Sequence, residues 1–409
     1  ESDNTIISKY STSGVPQWTT TTEQSGYDIG REIRTAPDGS IYIVGVFEGN
    51  FFGDIASTTD AYLLKYDSTG TFAWSKILAK GNLQQEGESL CIDNDGYIYV
   101  TGSTSENLGE EVNNGGKDIF VEKYSSSGDK QWGKLIGSTG DEVGESITLD
   151  ENGDLYVTGG TTGELFGETN NGRKDAFLVK LSTSGEQEWG RLLGGSGDEV
   201  TTAIDTSPEG SVYVTGWSNG DIFDNVNQGD LDVLTAKYST TGELIWTREI
   251  GTSSFERARD IRVISENNIY ITGNFDKNFD GEFGGDYGGA FLTKYTSNGD
   301  KVSTKVFGID SYHSGESVTS DNNGDLYVLG KNVKGDASYD SDLYLKKFYL
   351  PNASPTALDI STASFNENIA AASAVATLSS SDPDDGETFT FSLVPGHGDT
   401  NNGAFTIDG

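Results

Sequence analysis

A block of 57 residues recurs along most of the chain with almost no slip in register. The motif Tyr-(Ile/Val)-x-Gly places Tyr42, Tyr99, Tyr156, Tyr213, Tyr270 and Tyr327 at equal intervals of 57. A second motif, a largely apolar run ending in Lys and then Tyr, Leu or Phe, sets Lys9, Lys65, Lys123, Lys180, Lys237, Lys294 and Lys347. Self-similarity at a fixed period of this size means an array of supersecondary units, none able to bury its apolar face alone.

The stretch from Glu145 to Gly195 displays the plan of one unit. Ser146–Asp150 alternates polar and apolar residues as a half-buried strand does. Asn152-Gly153-Asp154 is a hairpin signal, and Leu155–Gly159 a second strand. After a polar loop through Asn170-Asn171-Gly172, Asp175–Leu181 reads as a third strand and Gln187–Leu193 as a fourth. Four short antiparallel strands per period, with no helical pattern, describe a propeller blade, so the fold class is all-β.

Five units are complete, beginning near Gly30, Gly87, Gly144, Thr201 and Ala258. The N-terminus supplies a third and fourth strand (Thr5–Tyr10 and Gln17–Thr22). The last unit supplies three (Glu316–Asp321, Asp325–Gly330, Asp342–Tyr349). Six blades need 24 strands and 25 are counted, whereas seven need 28 and residues upstream of Glu1. The expectation is six, with Gln17–Thr22 pairing onto the last blade to remove an exposed edge.

The segments Gly194-Gly195-Ser196-Gly197-Asp198-Glu199, Gly210–Gly216 and Asp232–Ser239 resemble the SBBP beta-propeller repeat of bacterial secreted and surface proteins. The resemblance covers residues 5–349 and implies seven blades by the family's name. It says little about ligand, because propellers serve enzymes, binders and scaffolds alike.

Beyond this propeller region (1–349) the period stops, and 350–356 reads as a linker through Pro351 and Pro355. Residues 357–409 resemble the N-terminal half of a cadherin-like domain, through Phe365-Asn366-Glu367-Asn368, Ser381–Gly386 and Phe389–Leu393. The resemblance implies two calcium sites. Asp382 and Asp384 match the pair that serves the junction with the preceding domain, and Glu367 the ligand for the following one. In the linker only Asn352 offers a side-chain oxygen. Calcium is accordingly the one expected cofactor.

Charge sets further bounds. Lys and Arg number 27 against 64 Asp and Glu, a net charge of −37, which argues against nucleic acid or anionic membranes as partners. The aromatic residues fall periodically and supply a core, so the acids are expected on loops. Cys91 is the single cysteine, which excludes an intrachain disulfide and a Cys-based zinc site. His313 and His397 are the only histidines, and no apolar run approaches a membrane span. Methionine is absent even at position 1, so the chain is expected to be an excerpt or processed product with any signal peptide outside it.

Several constellations could carry chemistry. Asp93-Asn94-Asp95-Gly96, Asp150–Gly153 and Asp321–Gly324 begin like calcium loops but lack a terminal acidic ligand, and read as turn chemistry. On the first strand of each blade one repeat position carries Arg31, Glu88, Glu145, Thr202, Arg259 and Glu316, and another Arg34, Cys91, Thr148, Asp205, Arg262 and Thr319. With Arg257 these form either an axial anion site or a set of ion pairs tying inner strands together. Trp18, Trp74, Trp132, Trp189 and Trp246 recur four residues after a turn glycine and are expected to pack, under the recurring lysine's stem. The loops 106–117, 163–174, 220–231 and 277–289 differ most between blades and share one face.

The functional expectation is a non-enzymatic, extracellular module of a large bacterial surface or secreted protein. It would act in adhesion, ligand binding or assembly. Its partner would be a protein or glycan on a cell surface or a further copy of the same assembly, with no nucleic acid and no membrane insertion. The alternative is a propeller enzyme, a polysaccharide hydrolase or lyase, working in the axial funnel with carboxylates such as Glu88 and Glu145.

Overall fold

The computed structural model describes residues 4–348 except 12, 23–25, 53, 80–82, 224, 284–287, 310–311, 322–323 and 334–340, together with 357–360 and 378–381. It divides into two compact units, Glu1–Thr319 with Val328–Lys346, and Ser320–Tyr327 with Lys347–Gly409. The described residues contain strands, turns and no helix.

The molecule is a six-blade propeller with antiparallel blades. The first blade is β3 (Gly26–Thr35), β4 (Ile41–Phe51), β5 (Asp54–Tyr66) and β6 (Phe72–Leu78). The second is β7 (Gln85–Ile92), β8 (Ile98–Thr104), β9 (Asp118–Tyr124) and β10 (Lys130–Ile136). The third is β11 (Glu142–Leu149), β12 (Leu155–Thr161), β13 (Asp175–Leu181) and β14 (Gln187–Leu193). The fourth is β15 (Glu199–Thr206), β16 (Val212–Ser218), β17 (Asp232–Tyr238) and β18 (Leu244–Ile250). The fifth joins β19 (Glu256–Ser265), β20 (Asn268–Phe275), β23 (Gly289–Tyr295) and β24 (Lys301–Phe307). Its second-to-third connection holds a short hairpin, β21 (Asn278–Phe279) and β22 (Glu282–Phe283). The sixth sheet is β25 (Tyr312–Ser320), β26 (Leu326–Val333) and β27 (Ser341–Phe348).

The N-terminal hairpin corrects the expected closure. β2 (Pro16–Thr21) pairs with β1 (Ile6–Tyr10), not with the last blade, whose sheet runs β25-β26-β27. The physical reason is that the hairpin docks as a unit on the first blade. Asp28 accepts from the Thr5 amide at 2.8 Å and from the Thr22 hydroxyl at 2.9 Å. Ile7 is buried beside Ile43, Phe47 and Tyr62. In the second unit, β28 (Ala357–Ile360) pairs antiparallel with β29 (Leu378–Ser381).

The glycine of the repeat motif has a specific cause. Each complete blade has a bulge in its first strand, for example between Gly144 and Ser146, where the ladder skips a residue. The bulge turns a carbonyl toward the second strand. A Cβ on Gly159 would lie 1.9 Å from Val143 O, and one on Gly102 1.8 Å from Glu86 O. Only glycine fits there.

The cores lie between neighbouring blades. One cluster joins Tyr42, Val44 and Leu63 of the first blade to Leu90, Val100 and Phe120 of the second, and others span the next junctions. Each of the five recurring tryptophans, Trp18, Trp74, Trp132, Trp189 and Trp246, reaches over a turn glycine of the following sheet. Trp132 covers Gly185 and donates its indole N–H to Thr183 O at 3.1 Å, and Trp189 treats Gly242 and Thr240 alike. Each recurring lysine is the direct cross-strand neighbour of its tryptophan, Lys65 of Trp74, Lys123 of Trp132, Lys180 of Trp189 and Lys237 of Trp246, but its ammonium group goes elsewhere. Lys65, Lys180 and Lys237 instead set their ammonium groups over Tyr42, Tyr156 and Tyr213, while Arg191 and Arg248 cover Trp189 and Trp246.

Candidate functional site

The axial rim is built from the first strands. Their facing sides tie adjacent blades by a repeated device, in which a side-chain oxygen accepts a backbone N–H from the next blade. Glu32 accepts from the Leu90 amide at 3.2 Å and from the Ser89 hydroxyl, and Ser89 accepts from Ile147 N at 3.2 Å. Asp260 accepts from Val318 N and from the Ser317 hydroxyl, both at 2.8 Å. Ala203 stands where Ser89 and Asp260 stand in their blades and cannot accept. Asp205, two residues on, takes the Val263 amide at 2.8 Å instead.

Ion pairs overlie this set. Arg31 reaches Glu88 at 3.6 Å, Arg262 reaches Asp205 at 3.4 Å, and Arg259 reaches Glu316 at 4.0 Å. Arg34 pairs with Glu32, and its guanidinium is held above the ordinary range by Glu32 with help from Asp260 and Asp205 on the fifth and fourth blades. Burial pushes Glu88 up to about 7 against the pull of Arg31, and raises Glu145 against Lys174, Arg31 and Arg257. Arg257 lies against the rings of Trp217 and Phe255, with its Nε buried and without a hydrogen bond, and burial lowers it. The rim thus unites the expected arginines and glutamates as a mixed-charge surface on which burial raises two carboxylates, Glu88 and Glu145. His313 packs on Tyr344 with ring centroids 5.5 Å apart.

The second candidate surface is the face of the second-to-third strand loops. These loops are internally braced. Asn113, Asn170 and Asn227 donate from Nδ2 to Thr104 O, Thr161 O and Ser218 O at 3.2, 3.1 and 3.0 Å. At their ends Asp118, Asp175 and Asp232 are completely buried and accept loop amides from Asn114, Asn171 and Gln228. Glu142, Glu199 and Glu256, also completely buried, grip the end of the preceding blade. Glu142 takes the Ser138 amide at 2.6 Å, and Glu256 the Thr252 amide at 2.8 Å. Burial pushes Glu199 and Glu256 up to about 7. The expectation that acidic residues sit on loops is therefore corrected for these six, whose carboxylates satisfy backbone donors at the junctions.

The hairpin aspartates behave as turn residues. Asp93 accepts from the amides of Asp95 and Tyr97 at 3.0 and 2.8 Å and from the Tyr99 hydroxyl at 3.0 Å. Asp150 and Asp321 repeat the pattern toward Tyr156 and Tyr327. Among the described residues no group of three or more His, Cys, Asp or Glu is placed to hold a metal ion. Asn352, Glu367, Asp382 and Asp384 lie outside the described residues.

Comparison with known proteins fits this architecture. The SBBP beta-propeller repeat matches at residues 74–110, 131–167 and 188–224. Each match runs from the fourth strand of one blade into the third-strand approach of the next, across the acid-bearing junction. An uncharacterized WD repeat-containing protein of Acanthamoeba polyphaga mimivirus is 22% identical over 68% of this chain and 26% of its own length. The regulatory protein FlaEY of Caulobacter vibrioides is 28% identical over 38% of this chain and 18% of its own. The chain thus spans about a quarter or less of these relatives. Among solved structures, the polysaccharide lyase Uly1 superimposes with a TM-score of 0.50 and 12% identity, covering 85% of both chains, a likeness of fold alone.

Proposed function

We propose that the chain is a non-enzymatic binding propeller from a larger bacterial surface or secreted protein, offering its loop face to a protein or glycan partner or to another copy. One observation carries this reading. Apart from Arg257, the rim arginines and most rim carboxylates that could do acid–base or anion chemistry are engaged between blades, as in Arg31–Glu88, Arg259–Glu316, Arg262–Asp205 and the Asp260 contacts. Groups tied at repeat-equivalent places support a scaffold. Calcium at Asp382 and Asp384, with Asn352 and Glu367, belongs to the same proposal as a stiffener of the C-terminal region.

A second reading has its own support. Glu88, held at about 7 by burial, carries a proton near neutrality beside Arg31 and near Glu145, and the fold is shared with a polysaccharide lyase. Incubation with sulfated, acidic and neutral polysaccharides, followed by absorbance of unsaturated products and by reducing ends, separates the two. The binding reading expects retention on a glycan or protein surface without turnover. Turnover that disappears in Glu88→Gln or Glu145→Gln would replace it with the enzymatic one.

A further inference from the structure

One blade breaks the repeat in two coupled places. Where the other complete blades pair Ile77 with Tyr62, Leu135 with Phe120, Leu192 with Phe177 and Val306 with Phe291, the fourth pairs Glu249 with Leu234. An aromatic side chain has become smaller and an aliphatic one has become a carboxylate, on the same face of the sheet. A second departure faces it from the fifth blade. Asp280, at φ 55°, stands at the left-handed loop position held by Phe52, Phe166 and Phe223 in three blades and by Gly109 in the second.

These departures line one cavity. It has a volume of about 590 Å³ and is walled by Glu249, Gly251, Thr252 and Gln228 of the fourth blade's edge and by Asp280 and Lys301 of the fifth. That volume lies in the ordinary range for small-ligand sites. Lys301 and the Thr304 hydroxyl occupy Asp280. Glu249 is different, for both carboxylate oxygens are buried without a hydrogen-bond partner. The nearby Ser218 hydroxyl lies 2.7 Å from Gly220 O and 3.3 Å from Glu199 Oε1, and is close enough to Glu249 to stabilise its charged form in part. Asp232, completely buried, has its Oδ1 also unpartnered and directed at Gly251 of the cavity wall.

The geometry points to a binding site for a primary ammonium group, seated on Glu249 between the fourth and fifth blades. A desolvated carboxylate without a partner is unfavourable, and an ammonium N–H offers charge and hydrogen bond together. A metal ion is the poorer occupant, since no group of three metal-binding side chains gathers among the described residues. Burial pushes Glu249 up to about 7 against the pull of the nearby Ser218 hydroxyl, with Asp232, Glu199 and Asp221 adding to the rise. Occupation by a cation therefore expels a proton and tightens as pH rises from 6 to 8.

The test is calorimetric titration of the whole chain with methylammonium, N-acetyl-lysine methylamide and glucosamine, in buffers of different ionisation enthalpy. Saturable binding with proton release is expected. Affinity should fall by about tenfold or more in Glu249→Leu, which restores the residue type of the other blades, and in Glu249→Gln. Both variants should melt no lower than the parent, so loss of binding is not loss of fold. The lysine and sugar arms tell a protein source from an amino-sugar source. Binding that survives both substitutions, saturable heat from calcium that abolishes the ammonium response, or no saturable heat from any of the three amines would overturn the assignment.

Discussion

The outer edge and the axial rim of the ring solve the same task, joining one blade to the next, by opposite means. At the outer edge the residues are nearly constant. Trp74, Trp132, Trp189 and Trp246 cover Gly128, Gly185, Gly242 and Gly299 in turn. At the rim the accepting group changes from Glu32 to Ser89 to Asp205 to Asp260 and even shifts by two positions. Packing an indole on a backbone demands one shape, and any change of volume is felt. Receiving a single N–H demands only an oxygen within reach, which several side chains supply.

The largest effect expected to divide the two is that of pH. Glu199, Glu256, Glu88 and Glu249 are each pushed up to about 7 in the folded chain, from an ordinary 4.5. A raised folded value means that the protonated form is favoured by folding. That stability is complete below about 4.5 and is lost as pH rises through 7. The melting temperature should therefore fall by several degrees from pH 5.5 to 8, and Glu199→Gln with Glu256→Gln should flatten the fall. A profile that rises over this window would mean that these carboxylates are solvated.

At the outer edge, Trp189→Ala removes an indole and its hydrogen bond to Thr240 O, and should cost about 3 kcal/mol in chemical denaturation. A loss as small as that of a surface substitution would show that the edge is not what joins the blades. At the rim, Asp260→Ala strands the Val318 amide and the Ser317 hydroxyl and should cost about 2 kcal/mol. Asp260→Asn keeps an acceptor and should recover most of it, the tolerance that the rim's varied chemistry requires. The smallest of the four is Gly242→Ala, about 1–2 kcal/mol, because φ is +77° and the new methyl would meet Trp189 at 2.8 Å.

The outer edge was legible in the sequence, and at the rim the arginine–carboxylate pairs were too, as Arg31–Glu88 and Arg259–Glu316 show, but the backbone-accepting device was not. A task that fixes residue type leaves a period, and the tyrosines, lysines and tryptophans marked the second, third and fourth strands. The bulge was half visible, since the motif glycine marked its partner strand but nothing in the letters announced the carbonyl facing Gly159. The rim device hid because its acceptors share an oxygen and not a letter. Asp118, Asp175 and Asp232 were periodic in plain view, yet their neighbours look like loop residues, and only the fold reveals the carboxylates turned inward to loop amides. The docking of the N-terminal hairpin depends on Asp28, which stands at the repeat position of Glu142 and Glu199 with a shorter side chain. Strand counting alone could not weigh that contact against an edge pairing.

The tryptophan arrangement makes the molecule its own set of optical gauges. Each indole belongs to one sheet while its cover belongs to the next, at Trp18 on Gly70 and at four further junctions. Variants that retain a single one of these five, with Trp217 also replaced, would emit according to whether that junction alone is shut. Opening of the ring under denaturant or force could then be timed seam by seam, and its point of failure read from the order in which the colours change.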